Sequence, residues 1–104
     1  MRPMSKDDTH CVPYLKALGD PSRWRIVREL LGEELTVGDL VTRLGISQYN
    51  VSKHVRILRE AGIIETDKSG KFVHVSITSH FRTRLSADRS TLNLGCCTFH
   101  FDKE

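Results

Sequence analysis

The chain is short of the features that mark secreted, membrane-spanning or fibrous proteins. It has three cysteines, an odd number and too few for a disulfide framework. In a reducing compartment these are thiols, open to soft metals or to oxidation. Nowhere do 18 apolar residues run together, and the opening MRPMSKDDTH holds no apolar stretch long enough for a signal peptide. A cytoplasmic location and no membrane partner are therefore expected. Proline (3) and glycine (7) are sparse, and no repeat, low-complexity tract or linker divides the 104 residues, so one domain over residues 1–104 is expected. A monomer this small leaves much apolar surface half-covered, which favours dimerisation. A net charge of +3 and a pI near 8.9 permit nucleic acid as a partner without singling it out.

What is present begins with helix signals. VPYLKAL (12–18) spaces Val12, Leu15 and Leu18 as on one helix. Asp20-Pro21 is an N-cap followed by proline at the first helical position, and the next helix turns Ile26, Val27, Leu30 and Leu31 to one face before Gly32. Thr36 with Asp39 three residues on forms a capping box for a short helix whose stripe is Val37, Leu40, Val41 and Leu44, ended by Gly45. After Ile46 alone, Ser47 caps a third start, the helix 47–61, which buries Val51, Val55 and Leu58 and ends at Gly62. The period then switches from 3.6 to 2. IIET, a polar DKSGK turn with Gly70, and FVHVSIT predict a hairpin with Val73, Val75 and Ile77 on one face. Past Thr78 the signal fades. A single helical turn from Ser79 is the most the polar segment offers, and LNLGCCTFHF has strand-like composition.

Two short helices around a tight turn, followed at once by a hairpin, make a mainly α fold with a small β-hairpin: a winged helix-turn-helix with its core over about 15–77 and a tail, 78–104, whose fold the pattern does not specify. Such a helix fits the DNA major groove. Its outward residues are Ser47, Gln48, Tyr49, Asn50, Ser52, Lys53 and Arg56. Gln and Asn can pair bidentately with adenine, Lys and Arg with guanine, and Ser47 at the helix N-terminus suits phosphate. Lys68 and Lys71 on the wing are candidates for backbone phosphates. Against this stands the plain alternative of a solvated polar face, or of a winged helix that binds protein instead of DNA. A small thiol enzyme or metal carrier is disfavoured: there is no C-x-x-C, and no helix start precedes the cysteine pair to activate a thiol.

The stretch ALGDPSRWRIVRELL…ELTVGDLVTRLGISQYNVSKHVRILREAGIIETDKSGKFVHVSI resembles the ArsR/SmtB family of winged-helix repressors from about Leu15 to Ile77, its marks being LGDPSRWRI, VSKHVRILREAGII and GKFVHV. The resemblance implies a homodimer on a palindromic double-stranded operator, released by an inducer that is often a metal or metalloid ion. It places Ser47, Gln48, Asn50, Ser52, Lys53 and His54 at the family's DNA-facing positions. His54 has an alternative role as a structural histidine bonded between helices.

The sequence also departs from that family. Its best-known inducer box, ELCVCDL, is here Glu34-Leu35-Thr36-Val37-Gly38-Asp39-Leu40, so Thr36 and Gly38 stand where cysteines would ligate. The Asp/His site of a long last helix is missing as well. Cys11, Cys96 and Cys97 remain as candidate metal ligands, with His10 and His100 beside them. As(III) or Sb(III) takes three thiolates, whereas Zn(II) or Cd(II) accepts thiolate and imidazole. Some members of the resembled family use a vicinal C-terminal pair in this way, next to the N-terminal helix. Three readings stay open: a soft-metal site, a redox switch in which Cys11 bridges one of the pair, and small buried hydrophobes. Adjacent strand residues point to opposite faces, so convergence of the pair requires a bend, which Gly95 permits.

Overall fold

Three side-chain caps set the helical frame of the computed structural model, which describes residues 11–101. After α1 (Val12–Leu18), extended Asp20 accepts from the amides of Ser22 and Arg23 and opens α2 (Pro21–Leu30). The Thr36–Asp39 capping box opens α3 (Val37–Leu44), with both reciprocal bonds at 3.0 Å. Ser47 accepts from the Asn50 amide at 3.1 Å and opens α4 (Gln48–Glu60). Between α3 and α4 the chain reverses at Gly45, whose φ of 70° is the left-handed conformation that a Cβ would strain.

The expected wing is there as β2 (Ile64–Ser69) and β3 (Phe72–Ile77), antiparallel and paired from Ile64↔Ile77 to Ser69↔Phe72, with Gly70 at φ 62° in the two-residue turn. A strand that the pattern did not announce, β1 (Leu35–Thr36), pairs with β3 and completes a sheet of order β1-β3-β2. The arrangement is a winged helix-turn-helix. Ile26, Leu40, Val51, Leu58, Ile63 and Val75 fill its centre at full burial. Leu18 is buried as expected, but Val12 and Leu15 are 42% and 45% exposed, so the stripe of α1 is covered at one end only.

The tail is ordered by contacts made far along the chain. Thr78 caps α5 (Ser79–Arg82), and Phe81 beneath it meets Tyr14 edge-on at 5.0 Å. β4 (Thr91–Asn93) and β5 (Thr98–His100) then form a second hairpin, in register Leu92↔Phe99, which realises the strand-like composition of the tail. Arg89, left-handed at φ 59°, donates from Nη1 to the Leu31 carbonyl at 2.8 Å. Beside it the hydroxyls of Ser90 and Ser86 donate to Asp88 and hold its carboxyl down to about 2. Trp24 of α2 closes the contact: its ring stacks on Phe101 at 4.3 Å and meets Phe99 at 5.7 Å. Phe101→Ala is expected to cost about 3 kcal/mol in urea unfolding and to shift the emission of Trp24, the sole tryptophan, to the red. An unshifted spectrum would mean that the tail does not depend on this stack.

Candidate nucleic-acid interface and thiol cluster

With 13 residues, α4 is about 20 Å long, and one face is committed to the core by Val51, Val55 and Leu58. The opposite face is solvent-exposed at Ser47, Gln48, Tyr49, Asn50, Ser52, Lys53 and Arg56, all candidates from the sequence. Tyr49 stands out at 78% exposure. Ser47 Oγ is engaged as the helix cap, so what this end offers an anion is the first-turn amides and the hydroxyl proton. Lys68 and Lys71 are exposed on the wing, and Lys71 Nζ lies 5.7 Å over the ring of Phe72, itself exposed at the wing tip.

Between α4 and the wing runs a cleft of about 510 Å³ lined by Tyr49, Lys53, Arg56, Arg59 and Val73 among others. Arg59 was not among the sequence candidates, yet it joins Lys53 and Arg56 here at intervals of three residues and donates to Thr66 of β2 at 3.4 Å. That spacing was the available signal.

His54 differs from its neighbours. Its ring is half-buried, and its Nδ1 lies 3.2 Å from Arg23 Nη1. A guanidinium only donates, so Nδ1 accepts and the ring proton sits on Nε2, the one nitrogen left for DNA. Burial, then Arg23 and Lys53, lower its pKa against the pull of Asp20. Asp20 is itself held below the usual carboxylate range: burial raises it, but the amides of Arg23 and Ser22 and the Arg23 charge outweigh that.

The three cysteines, two of them (Cys11 and Cys96) 85 residues apart in sequence, come together where the tail meets α1. Cys11 is 2% exposed at the head of α1 and forms a disulfide with Cys96, the two Cα atoms lying 6.5 Å apart. Cys97 Sγ is 3.7 Å from Cys96 Sγ, and all three sulfurs lie within 4.8 Å of one another. The bend that the adjacent pair requires is supplied by Gly95 at φ 90°, between β4 and β5. No imidazole or carboxylate joins this group among the described residues, so His100 stands apart from it. His10 lies outside the described residues.

Comparison with known proteins fits this geometry. A family profile described as a helix-turn-helix domain matches residues 18–67. The transcriptional activator HlyU of Vibrio cholerae is 35% identical over 79 residues, spanning 76% of this chain and 73% of HlyU. The chain belongs to the ArsR/SmtB family. The structure of HlyU superposes with a TM-score of 0.70 at 37% identity, covering 73% of this chain and 83% of HlyU. The repressor BigR of Xylella fastidiosa gives 0.65 at 32% identity, covering 74% and 84%. The arsenical resistance operon repressor of Escherichia coli is 42% identical over 71 residues, 66% of this chain and 60% of that one. The relatives of this ArsR/SmtB chain are thus transcriptional regulators acting through a DNA-binding helix-turn-helix. No helix among the described residues is long and apolar enough to cross a membrane.

Two tests follow from the interface. Gln48→Ala or Asn50→Ala should relax preference at one base step by about 1–3 kcal/mol, whereas Lys68→Ala or Lys71→Ala should weaken all sequences alike and reduce the salt slope by about one. Specificity unmoved by the first pair would move the reading face elsewhere. The lowered pKa of His54 means that the unfolded chain takes up the proton first as pH falls below the ordinary value of 6.5. Stability at this residue is therefore lost as pH drops from about 6.5 toward the folded-state value. His54→Asn should flatten that part of the urea-unfolding profile, and an unchanged profile would assign the loss to other groups.

Proposed function

We propose that this chain is a homodimeric transcriptional repressor that places α4 of each subunit in the major groove of a palindromic operator and releases it when the thiol cluster is occupied. The observation that carries this reading is the three-sulfur cluster, in an ArsR/SmtB chain where Thr36 and Gly38 empty the usual cysteine box. A pyramid of three thiolates suits trivalent arsenic or antimony. Cd(II) or Zn(II) would need a further donor, such as an imidazole, that the described cluster does not include. The name of the E. coli relative, an arsenical resistance repressor, supports the same class of inducer. Val12 and Leu15, apolar and half-exposed on α1, supply a surface for the second subunit. The protein works in the cytoplasm, with residues 1–104 acting as one domain.

The Cys11–Cys96 bond favours a second input at the same place. A two-electron oxidant such as a peroxide takes two electrons and two protons from these thiols, leaving Cys97 as a single sulfur that cannot hold a trivalent ion. Metalloid binding thus requires the reduced cluster, and oxidation is an alternative signal on the same residues.

The test is fluorescence anisotropy of the reduced protein on DNA from upstream of its own gene, titrated with arsenite. Salt-dependent binding that is lost at stoichiometric arsenite in the wild type, but kept in Cys96→Ser/Cys97→Ser, is expected. Release that is unaffected by the double substitution would remove the cluster as inducer site, and absence of binding to any DNA would remove the repressor.

A further inference from the structure

Arg23 touches three helices at once. From α2 its Nε donates to the Ala17 carbonyl at 2.6 Å and its Nη2 to the Lys16 carbonyl at 3.4 Å, both in the last turn of α1. Its Nη1 donates to His54 Nδ1 at 3.2 Å, halfway along α4, and lies 3.9 Å from the Asp20 carboxylate that caps α2. The side chain is only 15% exposed.

The other end of α1 is the thiol cluster. Cys11 occupies the N-cap position, and its carbonyl accepts from the Leu15 amide at 2.9 Å, so the sulfur-bearing residue is built into the first turn. With seven residues, α1 is about 10 Å long, two turns of hydrogen-bonded backbone between Cys11 and the carbonyls of Lys16 and Ala17. The helix therefore gives a short covalent and hydrogen-bonded route from Cys11 to the carbonyls that Arg23 holds. The guanidinium is a rigid planar fork, so its donors cannot follow α1 and stay on His54 independently. The apolar contacts of Val51, Val55 and Leu58 are non-directional and accommodate small slides, whereas the Arg23 hydrogen bonds are directional.

We propose that Arg23 is a positioning residue that carries the state of the Cys11–Cys96–Cys97 cluster to the recognition helix, by gripping the end of α1 and the ring of His54 with one guanidinium. The proposal rests on the thiol-controlled reading above and adds the route by which the thiols reach the DNA. His54 becomes the receiving group, and its displacement turns the DNA-facing residues at 47–56 out of register with the groove. The role asks for a group that donates to both partners from one plane, which lysine does not provide.

The experiment compares DNA affinity in two states of the full chain: reduced, and oxidised with diamide, which takes two electrons and two protons from Cys11 and Cys96. The quantity read is the ratio of the two Kd values on DNA from upstream of its own gene. A residue that merely stabilises the fold weakens both states alike and leaves the ratio unchanged. The wild type should show a ratio of about tenfold or more. Arg23→Gln and His54→Leu should bring it close to one, while His54→Asn, which keeps an acceptor near the position of Nδ1, should restore it. Should Arg23→Gln fail to fold, the two His54 variants decide the matter between them. A wild-type ratio preserved in both Arg23→Gln and His54→Leu overturns the relay and leaves thiol control standing. A wild-type ratio of one overturns the relay and the redox input together, and leaves the metalloid reading to the arsenite titration above.

Discussion

The stack of Trp24 on Phe101 is the contact on which the chemistry of this molecule depends. Cys11 and Cys96 are separated by 85 residues, and no local preference of the chain brings them together. In an unfolded chain, closing so long a loop is opposed by its entropy. The folded helices remove that cost by presenting α1 and α2 as a platform, and the aromatic pair, with Phe99 at the edge, seats the tail hairpin upon it. The guanidinium of Arg89 on the Leu31 carbonyl fixes the near end of the tail. The three sulfurs then meet as a consequence of tertiary packing, so thiol chemistry and tail docking are two aspects of one equilibrium.

The face proposed for DNA lies on α4, which packs on the same framework of helices. The core stripe of α4 is apolar and its outer face is polar, which orients the helix without further devices. The wing flanks it with Lys68 and Lys71, and the cleft between them adds Arg59. Lys53, Arg56 and Arg59 thus line the cleft beside the wing, while the thiols occupy the junction of α1 with the tail. Control of one by the other, as proposed, requires a mechanical link. Among the described hydrogen bonds the Arg23 fork offers such a link, and its charge adds to burial in lowering the pKa of His54.

Much of this was legible because it is local. Asp20-Pro21, the Thr36–Asp39 box, Ser47, Gly45 and the Gly70 turn each act within a few residues, and each is found in the structure doing what its position implied. The strand β1 was not legible, since two residues have no period and its pairing partner lies about forty positions away. For the tail, composition suggested strands, but their register and seat depend on Trp24 and Leu31, far back in the sequence. Alternation argued against convergence of Cys96 and Cys97 without a bend, and the bend that Gly95 permitted is present, with the pair in the loop between β4 and β5. No local pattern singles out Arg23. Its three-way contact is a property of the packed state.

The central claim is that the thiol cluster and the recognition helix belong to one coupled unit. Amide hydrogen exchange of the DNA-free protein, compared between the reduced and the arsenite-loaded states, tests it most directly. The account predicts that protection changes together in the tail around residues 91–101, in α1 and in α4, with the wing tip unchanged. Changes confined to the tail, with α1 and α4 exchanging as before, would contradict it.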